Sequence, residues 1–200
     1  MRVRSIHSAI ALWVFVCSWS FVFAQRALPP GAVSLINQDR HGSRVALCAE
    51  TGEPAIQKGS KRIRGTAVWV GEGANLRRVR AGLGACDPAW SPDGRRLAVT
   101  ADEGLWVFAA NSADGHLRVK SRLPLGSIES NYRVFSSPRW SPDGMLVALL
   151  VSNKGTSWVE VFEANSGRLF YTSPPENYTF SWNSARDLKL GDSEIHLPRR

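Results

Sequence analysis

The block Trp90-Ser91-Pro92-Asp93-Gly94 returns fifty positions later as Trp140-Ser141-Pro142-Asp143-Gly144. A repeat at that period implies a repeated supersecondary unit that buries its apolar surface against its neighbours. Within the block, Pro92 and Asp93 suit the two central positions of a type I turn, and Gly94 closes it without steric cost. Beyond each copy comes a short continuous apolar run, Leu97-Ala98-Val99-Thr100 in one and residues 146–151 in the other. Such runs read as strands buried on both faces. Leu105-Trp106-Val107-Phe108 and Val159-Glu160-Val161-Phe162 follow, and after a polar turn come Leu117-Arg118-Val119-Lys120 and Leu169-Phe170-Tyr171. Each unit therefore predicts four antiparallel strands.

Two weaker units flank these. Gly42-Ser43-Arg44-Val45-Ala46-Leu47 aligns with Gly94 to Val99, but residues 37–41 stand where the Pro-Asp turn belongs. Strands are expected at 32–36, 44–49, 66–70 and 76–80. At the other end Phe180-Ser181-Trp182 aligns its tryptophan with Trp90 and Trp140, and Leu188-Lys189-Leu190 and Glu194-Ile195-His196-Leu197 follow it. The expected units are 32–86, 87–136, 137–178 and 179–200, all of them parts of one repeat domain over 25–200.

With these residues in hand, the chain resembles the WD40-like repeats of TolB-type β-propellers, whose blades open on the Trp-Ser-Pro-Asp-Gly signature. The resemblance implies an all-β fold of about three and a half to four four-stranded blades. It carries no particular function, because propellers host enzymes, receptors and scaffolds alike. There is also no room for the separate α/β domain of TolB itself, so a role in the Tol system does not carry over. Two arrangements would cover the end blades, a small closed ring or pairing of two chains into a homo-oligomer; the third possibility is a remnant of a longer gene.

Residues 1–24 read as an export signal. Arg2 and Arg4 form a basic head, residues 9–23 are mostly apolar, and Ala24 supplies the small residue at the cleavage point. About fifteen residues interrupted by Ser18 and Ser20 are short for a membrane span of roughly 20. Cleavage would leave Gln25 first, and loss of Arg2 and Arg4 would lower the formal net charge from +8 to +6. An exported, periplasmic or extracellular chain of that charge excludes nucleic acid as its natural partner and favours an envelope or secreted protein, or an anionic polymer.

The site expectations follow from loop length and charge. In a blade of four alternating strands, the long stretches 50–65 and 124–137 fall on one face, and loops of that length are commonly functional. The first carries Lys58, Lys61, Arg62 and Arg64, and the second Tyr132 and Arg133. These six are the candidate binding residues, set against the plainer possibility of a solvated charge run. Arg77, Arg78 and Arg80, with Arg118, Lys120 and Arg122, fall on outermost strands, where basic residues deter sheet-to-sheet pairing. Trp90, Trp140 and Trp182 recur at one blade position, which favours packing between blades. Trp69, Trp106 and Trp158 belong with third strands and with the core.

Removing the signal leaves Cys48 and Cys86, an even pair compatible with a disulfide or with separate buried thiols. No Gly-x-Ser-x-Gly elbow is present, and His41, His116 and His196 lack the close spacing of a zinc site. Asp93 and Asp143 are explained by their turns. No metal or cofactor is called for. These observations predict a non-catalytic extracytoplasmic binding module, not an enzyme; the alternatives are an enzyme or enzyme-accessory propeller with a small-ligand site on the loop-rich face, or a truncated propeller.

Overall fold

The structure is a computed structural model and describes residues 28–58, 61–120, 133–153, 155–176 and 179–198. The expected signal at 1–24 lies outside these residues, as do Tyr132 and Arg122. Among the described residues there is no helix, and the strands form successive antiparallel sheets.

The first sheet contains β1 (Ser34–His41) and β2 (Arg44–Glu50). A small hairpin of β3 (Ile56–Lys58) and β4 (Lys61–Ile63) interrupts it. It then resumes with β5 (Thr66–Glu72) and β6 (Asn75–Arg78), in the spatial order β1-β2-β5-β6. The second sheet is a meander of β7 (Cys86–Trp90), β8 (Arg96–Ala101), β9 (Gly104–Ala109) and β10 (Gly115–Lys120). The third repeats it with β11 (Val134–Trp140), β12 (Leu146–Asn153), β13 (Thr156–Glu163) and β14 (Leu169–Thr172). The fourth has three strands, β15 (Phe180–Trp182), β16 (Asp187–Leu190) and β17 (Ser193–His196).

The first strands of the sheets, β1, β7, β11 and β15, lie side by side in succession, and the sheets radiate from them as blades. The chain is a partial β-propeller.

The repeated block forms the turn its residues dictate. Gly94 N–H donates to the Ser91 carbonyl at 2.8 Å, and Gly144 N–H to the Ser141 carbonyl at the same distance. Both glycines have positive φ, 65° and 69°, which the absent side chain permits. Beneath each turn a buried serine hydroxyl donates to the turn aspartate at 2.6 Å, Ser91 to Asp93 and Ser141 to Asp143. The same hydroxyls accept the N–H of Arg96 and Leu146 at 2.9 Å. The Ser91 hydroxyl, then the Arg95 N–H, hold the Asp93 carboxyl below its usual range. These carboxylates are turn fixtures.

In the first blade the structure departs from the expected strand limits. β1 runs on to His41, because residues 37–41 pair with β2 as far as His41 opposite Arg44, and the turn contracts to Gly42-Ser43. The long 50–65 stretch contains the β3–β4 hairpin.

Alternate residues of each strand face opposite neighbours. Ala46, Cys48, Val68 and Val70 of the first blade pack on Trp90, Leu97, Val99 and Phe108 of the second. Ala98, Leu105 and Val107 meet Phe135, Trp140, Val147 and Leu149 of the third. Leu146, Ala148, Val159 and Val161 meet Leu188, Leu190 and Leu197 of the fourth. A disulfide joins Cys48 and Cys86, with Cα atoms 5.1 Å apart, and so ties the first blade to the second.

Candidate functional site

The inner strands enclose an open groove of about 580 Å³ to which all four blades contribute. These strands pair on one side only, since each ends its sheet. Pro88 and Pro138, at matching positions on β7 and β11, each remove one N–H from the inner edge of these two strands.

Three charged residues line it: Asp39, Asp87 and Arg139. Asp39 accepts the Trp90 N–H at 2.6 Å and the Arg40 N–H at 2.9 Å. Asp87 accepts the Asn37 side-chain amide at 2.7 Å and the Ser137 N–H at 3.2 Å, spanning from the first blade to the third. Both carboxylates thus bind the framework. Two indoles complete it: Trp140 Nε1 donates to the Ala89 carbonyl at 2.8 Å, and Trp182 Nε1 to the Arg139 carbonyl at 3.0 Å. The recurring tryptophans join neighbouring blades, and their edges form part of the groove wall.

Of the six residues expected to bind a partner, the structure describes the side chains of Arg62, Arg64 and Arg133. Lys58 and Lys61 pair across the β3–β4 hairpin, and their side chains lie outside the described part; Tyr132 does also. Arg62 and Arg64 line a separate concavity of about 690 Å³ with Glu50 and Glu53. They also border a smaller cleft of about 300 Å³ with Gly84, Asp102 and Phe135. Arg133 is a framework residue. Its guanidinium pairs with Glu160 at 2.7 Å, with the two side chains only 12% and 6% exposed. It also donates to the Lys120 carbonyl at 3.1 Å and lies over the Phe135 ring. Trp158 Nε1 donates to the same glutamate at 2.9 Å. Nothing local in the sequence announces a partner 27 positions away on another strand.

Two of the basic residues expected on outer strands contact the next blade. Arg77 donates to the carbonyls of Ala110 and Asn111 in the next blade, at 2.9 and 3.0 Å, and Arg80 pairs with Asp114 at 3.1 Å. Among the described residues no three His, Cys, Asp or Glu side chains gather as a metal site.

No family model matches the chain. A 91-residue stretch, 42% of this chain and 13% of the relative, is 30% identical to the uncharacterized peptidase YuxL of Bacillus subtilis. Among solved structures, an acylaminoacyl peptidase of Pyrococcus horikoshii is similar over 78% of this chain and 27% of its own, with TM-score 0.57 and 11% identity. The β-propeller domain of the Trilobed protease from Pyrococcus furiosus, which has an open velcro topology, is similar over 78% of this chain and 47% of its own, with TM-score 0.54 and 13% identity. A dipeptidyl peptidase 4 of Porphyromonas gingivalis is similar over 81% of this chain and 29% of its own, with TM-score 0.51 and 14% identity. The chain thus spans 13% of the curated relative and under half of each of these solved chains.

These relatives correct the expectation of a non-catalytic binding module that is not an enzyme. The match to a peptidase points to an enzyme-related propeller. The physical reason the residues concealed it is that blade strands and turns are shaped by packing. They look alike whether a propeller stands alone or serves a hydrolase.

Proposed function

We propose that the chain is a peptidase-related propeller that receives a peptide in its inner groove and presents it to hydrolytic groups carried by another domain or polypeptide. The observation that carries this reading is the groove itself. It is open, lined by all four inner strands, and walled by tryptophan edges and prolines that suit a peptide backbone. The peptidase relatives supply the class of ligand. Arg62 and Arg64, on the loop-rich face, offer cationic contacts to an acidic surface of the hydrolytic partner.

Under the same reading the units are TolB-type repeats, supported by the two full copies of their signature. Residues 1–24 direct export, supported by Arg2, Arg4, the apolar 9–23 stretch and Ala24, so the peptides would be met outside the cytoplasm.

Titration calorimetry of the chain against a pool of short peptides tests the groove. Saturable binding that is abolished by Ser181→Trp, which fills the wall at the fourth blade, is the expected result. Binding unaffected by Ser181→Trp, or no binding at millimolar peptide, overturns it.

A further inference from the structure

Two residues other than glycine adopt positive φ among the described residues, Asp87 at 47° and Ser137 at 52°. They occupy the same blade position, each three residues before its repeat tryptophan and each followed by proline. Both coincide with irregularities in strand pairing, between Cys86 and Ala89 and between Ser136 and Arg139. Left-handed backbone at such residues is strained and persists where surrounding contacts enforce it. Here the enforcing contact is visible: the Asp87 carboxylate holds the Ser137 N–H at 3.2 Å while its other oxygen holds Asn37. A bulge re-aims the side chains that follow it.

The residue that follows this bulge is Arg139. It lines the groove at a position taken by Ala89 in the second blade and Ser181 in the fourth. The other two charged residues of the groove are bound to framework N–H groups, whereas Arg139 makes no ion pair or side-chain hydrogen bond among the described residues; only its carbonyl is engaged, by Trp182. Elsewhere Arg44, Arg77, Arg80, Arg96, Arg133 and Arg168 all have fixed partners. A strained, cross-braced bulge thus sets on the groove wall a guanidinium that has no partner among the described residues.

We propose that Arg139 reads a carboxylate of the peptide, namely its free C-terminus, and that Asp87 is the positioning residue that sets the bulge carrying Arg139. The planar fork of a guanidinium matches a carboxylate with two parallel hydrogen bonds, and a lysine matches it only as a point charge. The inference rests on the groove reading above, and it adds the group recognised and the residue that recognises it.

The full chain is titrated with N-acetyl-trialanine bearing a free carboxylate and with the corresponding carboxamide. The acid is expected to bind about tenfold more tightly, as one charge-assisted contact predicts. Arg139→Ala should bring the acid down to the affinity that the same variant has for the amide. Arg139→Lys should restore part of the difference. Asp87→Asn should reduce the acid-to-amide ratio, which a merely structural role would not move, since that would weaken both peptides together. A ratio near one in the unaltered chain, or a ratio that survives Arg139→Ala, overturns the carboxylate assignment and leaves the peptide groove standing. Failure of both peptides to bind overturns the groove and this assignment with it.

Discussion

The two end blades bury their sheets in opposite ways. In the first blade both faces of the sheet have interior chemistry: Ala46, Cys48, Val68 and Val70 meet the second blade, and Val45, Leu47, Ala49, Ala67 and Trp69 on the opposite face are buried as well. In the fourth blade Leu188 and Leu190 meet the third, but the alternate positions hold Asp187, Lys189, Glu194 and His196. Their counterparts in the third blade are Leu146, Ala148, Val161 and Glu163, since Lys189 faces Glu194 as Ala148 faces Val161. The fourth blade thus presents a polar outer face where the third presents an apolar one, while both faces of the first blade are buried.

The attachments differ too. The first junction has the Cys48–Cys86 bridge, Asp39 on the Trp90 N–H, and Arg44 donating to the Gly94 carbonyl at 2.7 Å. Arg96 repeats that last contact at the second junction, donating to Gly144 at 2.6 Å and lying 4.8 Å from the Trp140 ring centre. At the third junction the equivalent position is Leu146, which is buried in the apolar seam. The last blade is held by packing and the Trp182 indole bond, the first by packing, several polar contacts and a covalent tie.

Its heavier reliance on packing should make the last blade the more vulnerable to a cavity. Leu188 is fully buried, so Leu188→Ala should cost about 3 kcal/mol, seen as a lower urea midpoint. Lys189→Ala, on the polar face of the same strand, should stay within about 0.5 kcal/mol. Equal losses at the two positions would show that the fourth sheet is not docked as described.

The first junction should answer instead to its covalent tie. Replacing Cys48 and Cys86 together by alanine should cost about 2 to 4 kcal/mol, given their sequence separation of 38. Reduction of the unaltered chain should lower the midpoint similarly. A smaller difference separates the tryptophans. Trp140 Nε1 has its carbonyl partner, whereas Trp90 Nε1 is buried with no partner among the described residues. Trp140→Phe should therefore be about 1 kcal/mol worse than Trp90→Phe; the reverse order would mean that the indole bonds do not tie the blades.

What could be read from the residues beforehand divides along the same physical line. The Trp-Ser-Pro-Asp-Gly turns and the apolar strands are local, so their conformation is written in adjacent residues. The extension of β1 through Asn37 to His41 escaped because polar residues at an inner strand read as loop until Asp39 and Asn37 are seen bonding to the second blade. Arg133 resembled a ligand-binding cation because Glu160 is distant in sequence. Asp87 and Ser137 left a signal, a matched residue before proline ahead of each tryptophan. Proline normally confines its predecessor to extended backbone, so the left-handed turn there was contrary to local preference. Only the contact between the two residues explains it.

The smallest effect tests the polar face of the fourth blade. Asp187 accepts from the Ser184 hydroxyl at 2.5 Å and lies 2.6 Å from His196 Nδ1. The Ser184 hydroxyl first, then His196, hold its carboxyl below its usual 3.8. A carboxyl depressed on folding contributes stability above its unfolded value, and that contribution fades as pH falls through the lower folded value. The unfolding midpoint of the unaltered chain should thus exceed that of Asp187→Asn at pH 6. The two curves should draw together from about pH 4 downward, with a small gap throughout because the pair is exposed to solvent. A gap that persists unchanged at the acid end would assign the asparagine defect to lost turn geometry at Ser184 and not to the charge of this polar face.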